Sequence, residues 1–164
     1  MIISIASGKG GTGKTFISTN LASVADFPIK LLDCDVEEPN DHLFIHGNLV
    51  KSEIFSVLIP EIDKSLCDAC GECSRFCAYH AIVPIKNNPL IFPELCHSCG
   101  GCKQVCPRFA IKEINRPIGK IETIKSGFVT LIQGKTNIGV ANSTPLIKAR
   151  SEERRVGKEC RSRW

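Results

Sequence analysis

A chain of 164 residues has room for one ordinary domain or two small ones, and 43% hydrophobic with 23% charged content is ordinary for a soluble globular protein. No apolar run is long enough to span a bilayer, and the opening MIISIASGKG lacks the basic region and cleavage site of a signal peptide. Neither membrane insertion nor export is expected, and the expected location is cytoplasmic. The net charge of +4 comes largely from a basic tail, taken up below.

Residues 2–6, IISIA, form a short apolar run that predicts a buried strand. A glycine-rich loop follows, 8-GKGGTGKT-15. Next, FISTNLASVADF places Phe16, Ile17, Leu21, Val24 and Ala25 at helical spacing, with Thr15 near the start of the helix. Asp26, Phe27 and Pro28 end it, and 29-IKLLDCD-35 predicts a second buried strand. Strand, loop, helix and strand make a βαβ unit, so the second strand is expected to run parallel to the first.

The loop matches G-x(4)-G-K-S/T in the strand-to-helix context that this phosphate-binding motif requires. Gly8, Gly10, Gly11 and Gly13 let the backbone turn sharply and bring its N–H groups, Thr12's among them, against phosphate oxygens. The helix N-terminus adds partial positive charge. Lys14 would reach the β and γ phosphates of ATP, and the Thr15 hydroxyl would coordinate Mg²⁺. The plainer alternative is a glycine-rich turn with no ligand, which the complete motif argues against. The second strand runs into 33-DCDVEEPN-40, which brings carboxylates to the carboxyl end of a parallel strand, the side that faces a ligand crevice. A polar loop with helix-capping aspartates is the alternative there. Cys34 reads as a small buried residue.

From about residue 60 to 117 cysteines, prolines and turn residues crowd in. Aligning 67-CDACGECSRFCAYHAIVPI-85 on 96-CHSCGGCKQVCPRFAIKEI-114 gives an internal repeat of period 29. Eight of the ten cysteines fall in it, as C-x₂-C-x₂-C-x₃-C twice. Without an export signal such cysteines point to metal rather than disulfides. The spacing is that of bacterial ferredoxins with two 4Fe–4S clusters, in which the fourth cysteine serves the other cluster. Cluster one is then expected on Cys67, Cys70, Cys73 and Cys106, and cluster two on Cys96, Cys99, Cys102 and Cys77. Gly71, Gly100 and Gly101 would allow tight backbone wrapping. Ala78 stands where the pattern expects proline, as Pro107 does in the second repeat. Structural zinc also takes four thiolates, but in paired knuckles with a longer gap. His80 and His97 are expected outside the ligand set. The apolar ends 81-AIVPI-85 and 110-AIKEI-114 are expected to pair with each other.

After residue 117, GFVTLIQG predicts a strand at 127–133, and NIGVANSTPLIKA a further strand and the start of a helix. The last stretch carries Arg150, Arg154, Arg155, Lys158, Arg161 and Arg163 without apolar periodicity. Basic tails bind nucleic acid in some proteins, but this one reads as a disordered or non-native end.

The GKGGTGKT form, with its extra early lysine, resembles the deviant Walker A motif of the MinD/ParA family. With DVEEPN and the cysteine repeats, residues 1–150 resemble the MinD-superfamily P-loop ATPases that contain an inserted two-cluster ferredoxin domain. The resemblance implies an α/β P-loop domain with a parallel sheet, here incomplete, and an inserted α+β bacterial ferredoxin-like domain. It implies domains at 1–59, 60–117 (the insert) and 118–150, with the tail at 151–164. It implies that Lys9 crosses to a partner's phosphates in an ATP-bound homodimer, and that Asp35 lies near the attacking water and Mg²⁺. No aspartate follows residue 117, so no Walker B strand is recognisable and the chain reads as an N-terminal fragment in which hydrolysis is doubtful. The expected function is nucleotide-gated electron transfer through two 4Fe–4S clusters to a redox partner protein. The alternatives are a cluster carrier of the Mrp type, or a simple ferredoxin with an inactive P-loop. Neither a membrane nor nucleic acid is expected as a partner.

Overall fold

The computed structural model describes residues 1–9, 11–86, 89–140 and 144–152. Its elements in chain order are α1 (Lys14–Ser23), β1 (Ile29–Asp33), β2 (Asn48–Ile62), α2 (Glu72–Phe76), β3 (Ile82–Val83), β4 (Leu90–Ile91), α3 (Gly101–Gln104), β5 (Ile111–Ser126), β6 (Val129–Thr136) and α4 (Thr144–Glu152). Two units form. One contains Met1–Ile54, Gly119–Thr136 and α4; the other contains Phe55–Ile118 and the stretch after Thr136. The long strands β2 and β5 carry the chain from one unit to the other.

The larger sheet has the order β1-β6-β5-β2. β1 runs parallel to β6, with Ile29 opposite Val129 and Asp33 opposite Gln133. β5 and β6 form an antiparallel hairpin that turns at Gly127, whose φ of 56° suits glycine. With α1 and α4, the first unit is α/β with a mixed sheet. Its core gathers Ala22, Ile45, Val129 and fully buried Leu131, with Ile29, Leu31 and Ile124 packed against them. Leu146 of α4 is also fully buried. It sits 3.0 Å from where a side chain on Gly119 would begin and 3.3 Å from the same point on Gly134, so both glycines make room for it.

Four expectations need correction. Residues 137–140 form a turn and not the further strand expected in NIGVANSTPLIKA, although its helix forms as α4. Residues 2–6 form no strand, and Ile2 and Ile3 are exposed. An apolar run wants burial, but a strand also needs a neighbour for its backbone groups, and β1 takes its parallel partner from β6 instead. The βαβ unit expected around α1 is therefore not formed. Helix α1 itself forms, but it buries Thr19 and Ala22 and leaves Phe16, Ile17, Leu21 and Val24 exposed. Small side chains bring this helix onto the core, not the large apolar stripe that the periodicity marked. Finally, 81–85 and 110–114 do not pair. β3 pairs antiparallel with β4, through Ile82 opposite Ile91, and Ile111 opens β5.

The second unit repeats itself in its backbone. Ala69 and Ser98 have φ of 57° and 56°, Gly71 and Gly100 of 79° and 70°, and His80 and Phe109 of 51° each, every pair 29 residues apart. Left-handed conformations at non-glycine residues are uncommon, so three matched pairs show one backbone path used twice. The two paths are joined reciprocally. The Asp63 N–H donates to the Ala110 carbonyl at 2.7 Å, and the Phe92 N–H, 29 residues on, donates to the Ala81 carbonyl at 2.8 Å. The core has the same symmetry: Ile82 and Ile111 are buried beside Ile62 and Ile91, with Cys73, Cys102 and Cys106 among them. Gly101 has a packing role that the cysteine pattern did not suggest. A side chain there would collide with the Phe76 ring, so its absence lets α2 and α3 meet.

Candidate functional site

The glycine loop leads into α1 through Gly13, which caps the helix at a left-handed φ of 84°. Gly11 is left-handed as well, at 71°. Only glycine adopts both without strain. Gly8, Lys9, Gly11, Thr12, Gly13 and Lys14 are all exposed, and Gly10 lies outside the described residues. The loop is bonded to itself. The Lys14 ammonium donates to Ser7 Oγ at 3.2 Å, Ser7 Oγ donates to the Lys9 carbonyl at 2.8 Å, and Thr12 Oγ1 donates to the same carbonyl at 3.4 Å. Ser7 thus holds the lysine that would meet phosphate, and sequence reasoning passed it over.

The acidic segment is built around Asp33, at the end of β1. Buried Asp33 accepts the Asp35 N–H at 2.9 Å on one oxygen and the N–H groups of Asn40 and Asp41, at 3.1 and 3.3 Å, on the other. Residues 33–41 are thereby wound round one carboxylate. The Val36 carbonyl accepts from the Thr136 N–H at 2.9 Å and pins the loop to the end of β6. The result sets Asn40 Oδ1 3.1 Å from Thr15 Oγ1, which donates to it. Thr15 therefore meets the acidic loop through Asn40. Asp35 is exposed and accepts the Glu38 N–H at 3.2 Å. Burial, and then the charge of Asp33, push the Asp41 carboxyl up to about 6. The D-x-D spacing was the available clue to Asp33, since a side chain bonding two residues on is a local turn habit of aspartate. Cys34 is exposed, contrary to expectation, because β1 ends one residue before it.

In the second unit the exposure of the repeat cysteines follows the period at three of the four positions, the exception being Cys73 and Cys102. Cys70 and Cys99 are exposed, Cys73 is buried, and the other five are part-buried. Burial raises the Cys73 thiol, the Ser74 N–H opposes this, and Cys106, Cys67 and Cys70 raise it further. Those three neighbours include one cysteine from the other repeat. Burial likewise pushes the Cys102 thiol up to about 11 against the Lys103 N–H, with Cys96, Cys99 and Cys73 adding to it. A cavity is lined by Cys77, Cys96, Cys99 and Cys102, with Tyr79 and His97 at its wall. Each spacing-predicted set of four is thus brought into one neighbourhood. Backbone N–H groups already point at two of the sulfurs: Ser98 at Cys96 (3.4 Å) and Ala110 at Cys106 (3.3 Å). Among the described residues no three metal-binding side chains close to single-ion distance.

An α/β unit with a glycine loop capping its first helix, and a carboxylate-rich loop beside that loop's threonine, defines a nucleotide-binding domain of the P-loop kind. The chain belongs to the CobQ/CobB/MinD/ParA nucleotide binding domain family, which matches residues 3–153. It is 40% identical over 95 residues to the uncharacterized protein MJ0578 of Methanocaldococcus jannaschii, covering 56% of this chain and 34% of that protein. It is 28% identical over 163 residues to the uncharacterized protein MJ0579 of the same organism, covering 98% of this chain and 58% of that protein. The chain thus spans between a third and three fifths of the length of these relatives. No helix among the described residues is long and apolar enough to cross a membrane.

Proposed function

We propose that this chain binds ATP with Mg²⁺ at the glycine loop and two 4Fe–4S clusters at the cysteine repeats, and that nucleotide binding gates electron transfer to a redox partner protein. The observation that carries the reading is the exchange of fourth cysteines: Cys73 of the first repeat has Cys106 of the second as a neighbour beside its own Cys67 and Cys70, and Cys77 of the first lines one cavity with Cys96, Cys99 and Cys102 of the second. Eight thiols in two groups of four suit two four-thiolate groups, and the family membership supports the nucleotide half. When bound, each cluster supplies a one-electron redox centre.

The chain's own residues divide the work. Gly8 to Gly13 present N–H groups to phosphate. Lys14 would exchange its bond to Ser7 for a phosphate oxygen, and Thr15 would exchange Asn40 for Mg²⁺. Because Asn40 is fixed on Asp33, that exchange would be felt by the whole 33–41 loop, including Asp35. Lys9 would reach the phosphates of a partner copy in an ATP-bound homodimer. The ferredoxin-like insert spans 60–117 and the nucleotide domain takes 1–59 and 118–150.

The test is iron, sulfide and zinc per chain after anaerobic purification, followed by redox titration with and without MgATP. About eight iron and eight sulfide, with Cys106→Ser losing about half, is the expected result. Zinc without sulfide would sink the iron–sulfur reading and leave a nucleotide-binding protein with structural metal.

A further inference from the structure

The period-29 symmetry maps every residue of one cysteine set onto the other, and it maps one pair of side chains that is not conserved between the repeats. Tyr79 and His97 stack, with ring centroids 3.5 Å apart and planes 6° from parallel. Their counterparts one period away are Arg108 and Asp68. Those two form an ion pair, Arg108 Nε to Asp68 Oδ2 at 2.8 Å. Each pair therefore occupies the same place in the fold with different chemistry.

The place is specific. Asp68 follows Cys67, the first cysteine of set one, and Arg108 lies two residues after Cys106, the fourth. His97 follows Cys96, the first of set two, and Tyr79 lies two residues after Cys77, its fourth. In both sets the pair joins the two chain segments that come from different repeats. Asp68 also accepts the Cys70 N–H at 3.2 Å, so it reaches a third cysteine of its set. All four residues are substantially exposed, Tyr79 at 47% and the Asp68 and Arg108 side chains at 39% and 61%. Solvent and salt thus have access to both.

We propose that Asp68–Arg108 and Tyr79–His97 are equivalent straps that hold the first and fourth cysteines of each set together, and that they make the two sites respond differently to ionic strength. An exposed ion pair weakens as salt is added. A ring stack draws on apolar contact and is not screened in this way. Salt is therefore a selective key to the first and fourth cysteines of set one; the Lys103–Glu113 ion pair near Cys102 of set two lies within the second repeat and does not join the strap segments. The inference rests on the paired-site reading of the cysteines proposed above, but it concerns the chain's own side chains and is measurable on the thiols themselves.

The experiment uses the full chain, purified anaerobically, and follows iodoacetamide alkylation of each cysteine by mass spectrometry at low and high sodium chloride. Raising the salt should speed alkylation of Cys67 and Cys106 about two- to fivefold, the range of an exposed ion pair, and leave Cys77 and Cys96 unchanged. Asp68→Asn should give the fast rate at set one at all salt concentrations, and Arg108→Lys should restore part of the salt dependence. Tyr79→Leu should expose set two without creating a salt dependence, while Tyr79→Phe, which keeps the ring, should behave as the native chain. Equal salt responses at the two sets, or an Asp68→Asn effect shared by both, would overturn the proposal. Iron and sulfide counted on the same sample judge the iron–sulfur reading separately: their absence with the site-selective pattern intact removes the clusters and leaves the straps.

Discussion

The two units of this chain solve the problem of a small core in opposite ways. The cysteine unit closes on itself. Its two halves exchange backbone hydrogen bonds at Asp63–Ala110 and Phe92–Ala81, share the Ile82, Ile111, Ile62 and Ile91 core, and send a cysteine each into the other's set. The nucleotide unit has one packed centre at Leu131, built where β1 meets β6 from far along the chain, with Ile29 opposite Val129; large apolar side chains stay exposed in both units, Phe16 and Ile17 here, Phe76 and Phe109 there. A duplicated local path carries its own partner. A parallel pair such as β1 and β6 does not, because each strand depends on a neighbour distant in sequence.

The sharpest way to break this contrast is to take away the metal proposed for the cysteine unit. Anaerobic chelation should accelerate backbone amide exchange in the cysteine unit a hundredfold or more, about 2.7 kcal/mol, the linkage expected of a ligand held at about 100 times its Kd. Exchange in β1 and β6 should not change. Equal acceleration in both units would mean that the metal does not distinguish them. In the nucleotide unit the matching perturbation is Leu131→Ala. Leu131 is fully buried at the centre of its core, and its truncation should cost about 2–5 kcal/mol in chemical denaturation.

What was legible in the sequence follows the same division. The cysteine repeat could be read because its signal is short-ranged: cysteine spacing, Gly71 and Gly100 at matched left-handed positions, and a period that the backbone torsions reproduce at Ala69 and Ser98. Helix α1 and strand β1 were also legible, each from a local apolar run. The strand expected at 2–6 and the buried stripe of α1 were not, since apolar spacing states which residues prefer burial and not what is present to bury them. Asn40 and Ser7 escaped for a different reason. Their importance lies in bonds to Thr15 and Lys14, and the spacing of Asn40 from Thr15 across β1 has no sequence signature.

A subtler probe asks whether the glycine loop works as a unit separate from the cysteines. Lys14→Ala removes the ammonium held by Ser7. It should weaken ATP binding about 10- to 100-fold, the loss of one or more charge-assisted hydrogen bonds at about 1.5–3 kcal/mol. Isothermal titration would measure this, with metal content per chain unchanged. A loss of metal in parallel would show that the two sites are not independent.

The smallest effect concerns residues 33–41, the acidic loop that meets Thr15 through Asn40. Asp41 is buried, beside the charge of Asp33, and titrates at about 6 instead of its ordinary 3.8. A carboxyl whose folded pKa is raised binds its proton more tightly in the native state than in the unfolded one. Stability therefore falls as the pH rises from about 4 to about 6 and is level above that, the reverse of an ion-paired aspartate. The native protein at pH 7 carries this cost, roughly 1–3 kcal/mol by linkage. Asp41→Asn keeps the shape and removes the charge. It should raise the unfolding temperature at pH 7, flatten the decline between pH 4 and 6, and leave stability at pH 4 nearly unchanged. Thermal unfolding across that pH range measures all three. Since Asp33 also supports Asn40, and through it Thr15, relieving its repulsion with Asp41 should tighten the loop. A variant that is more stable yet binds MgATP less well would show that the native protein keeps this strained carboxylate pair so that the loop can let Thr15 go.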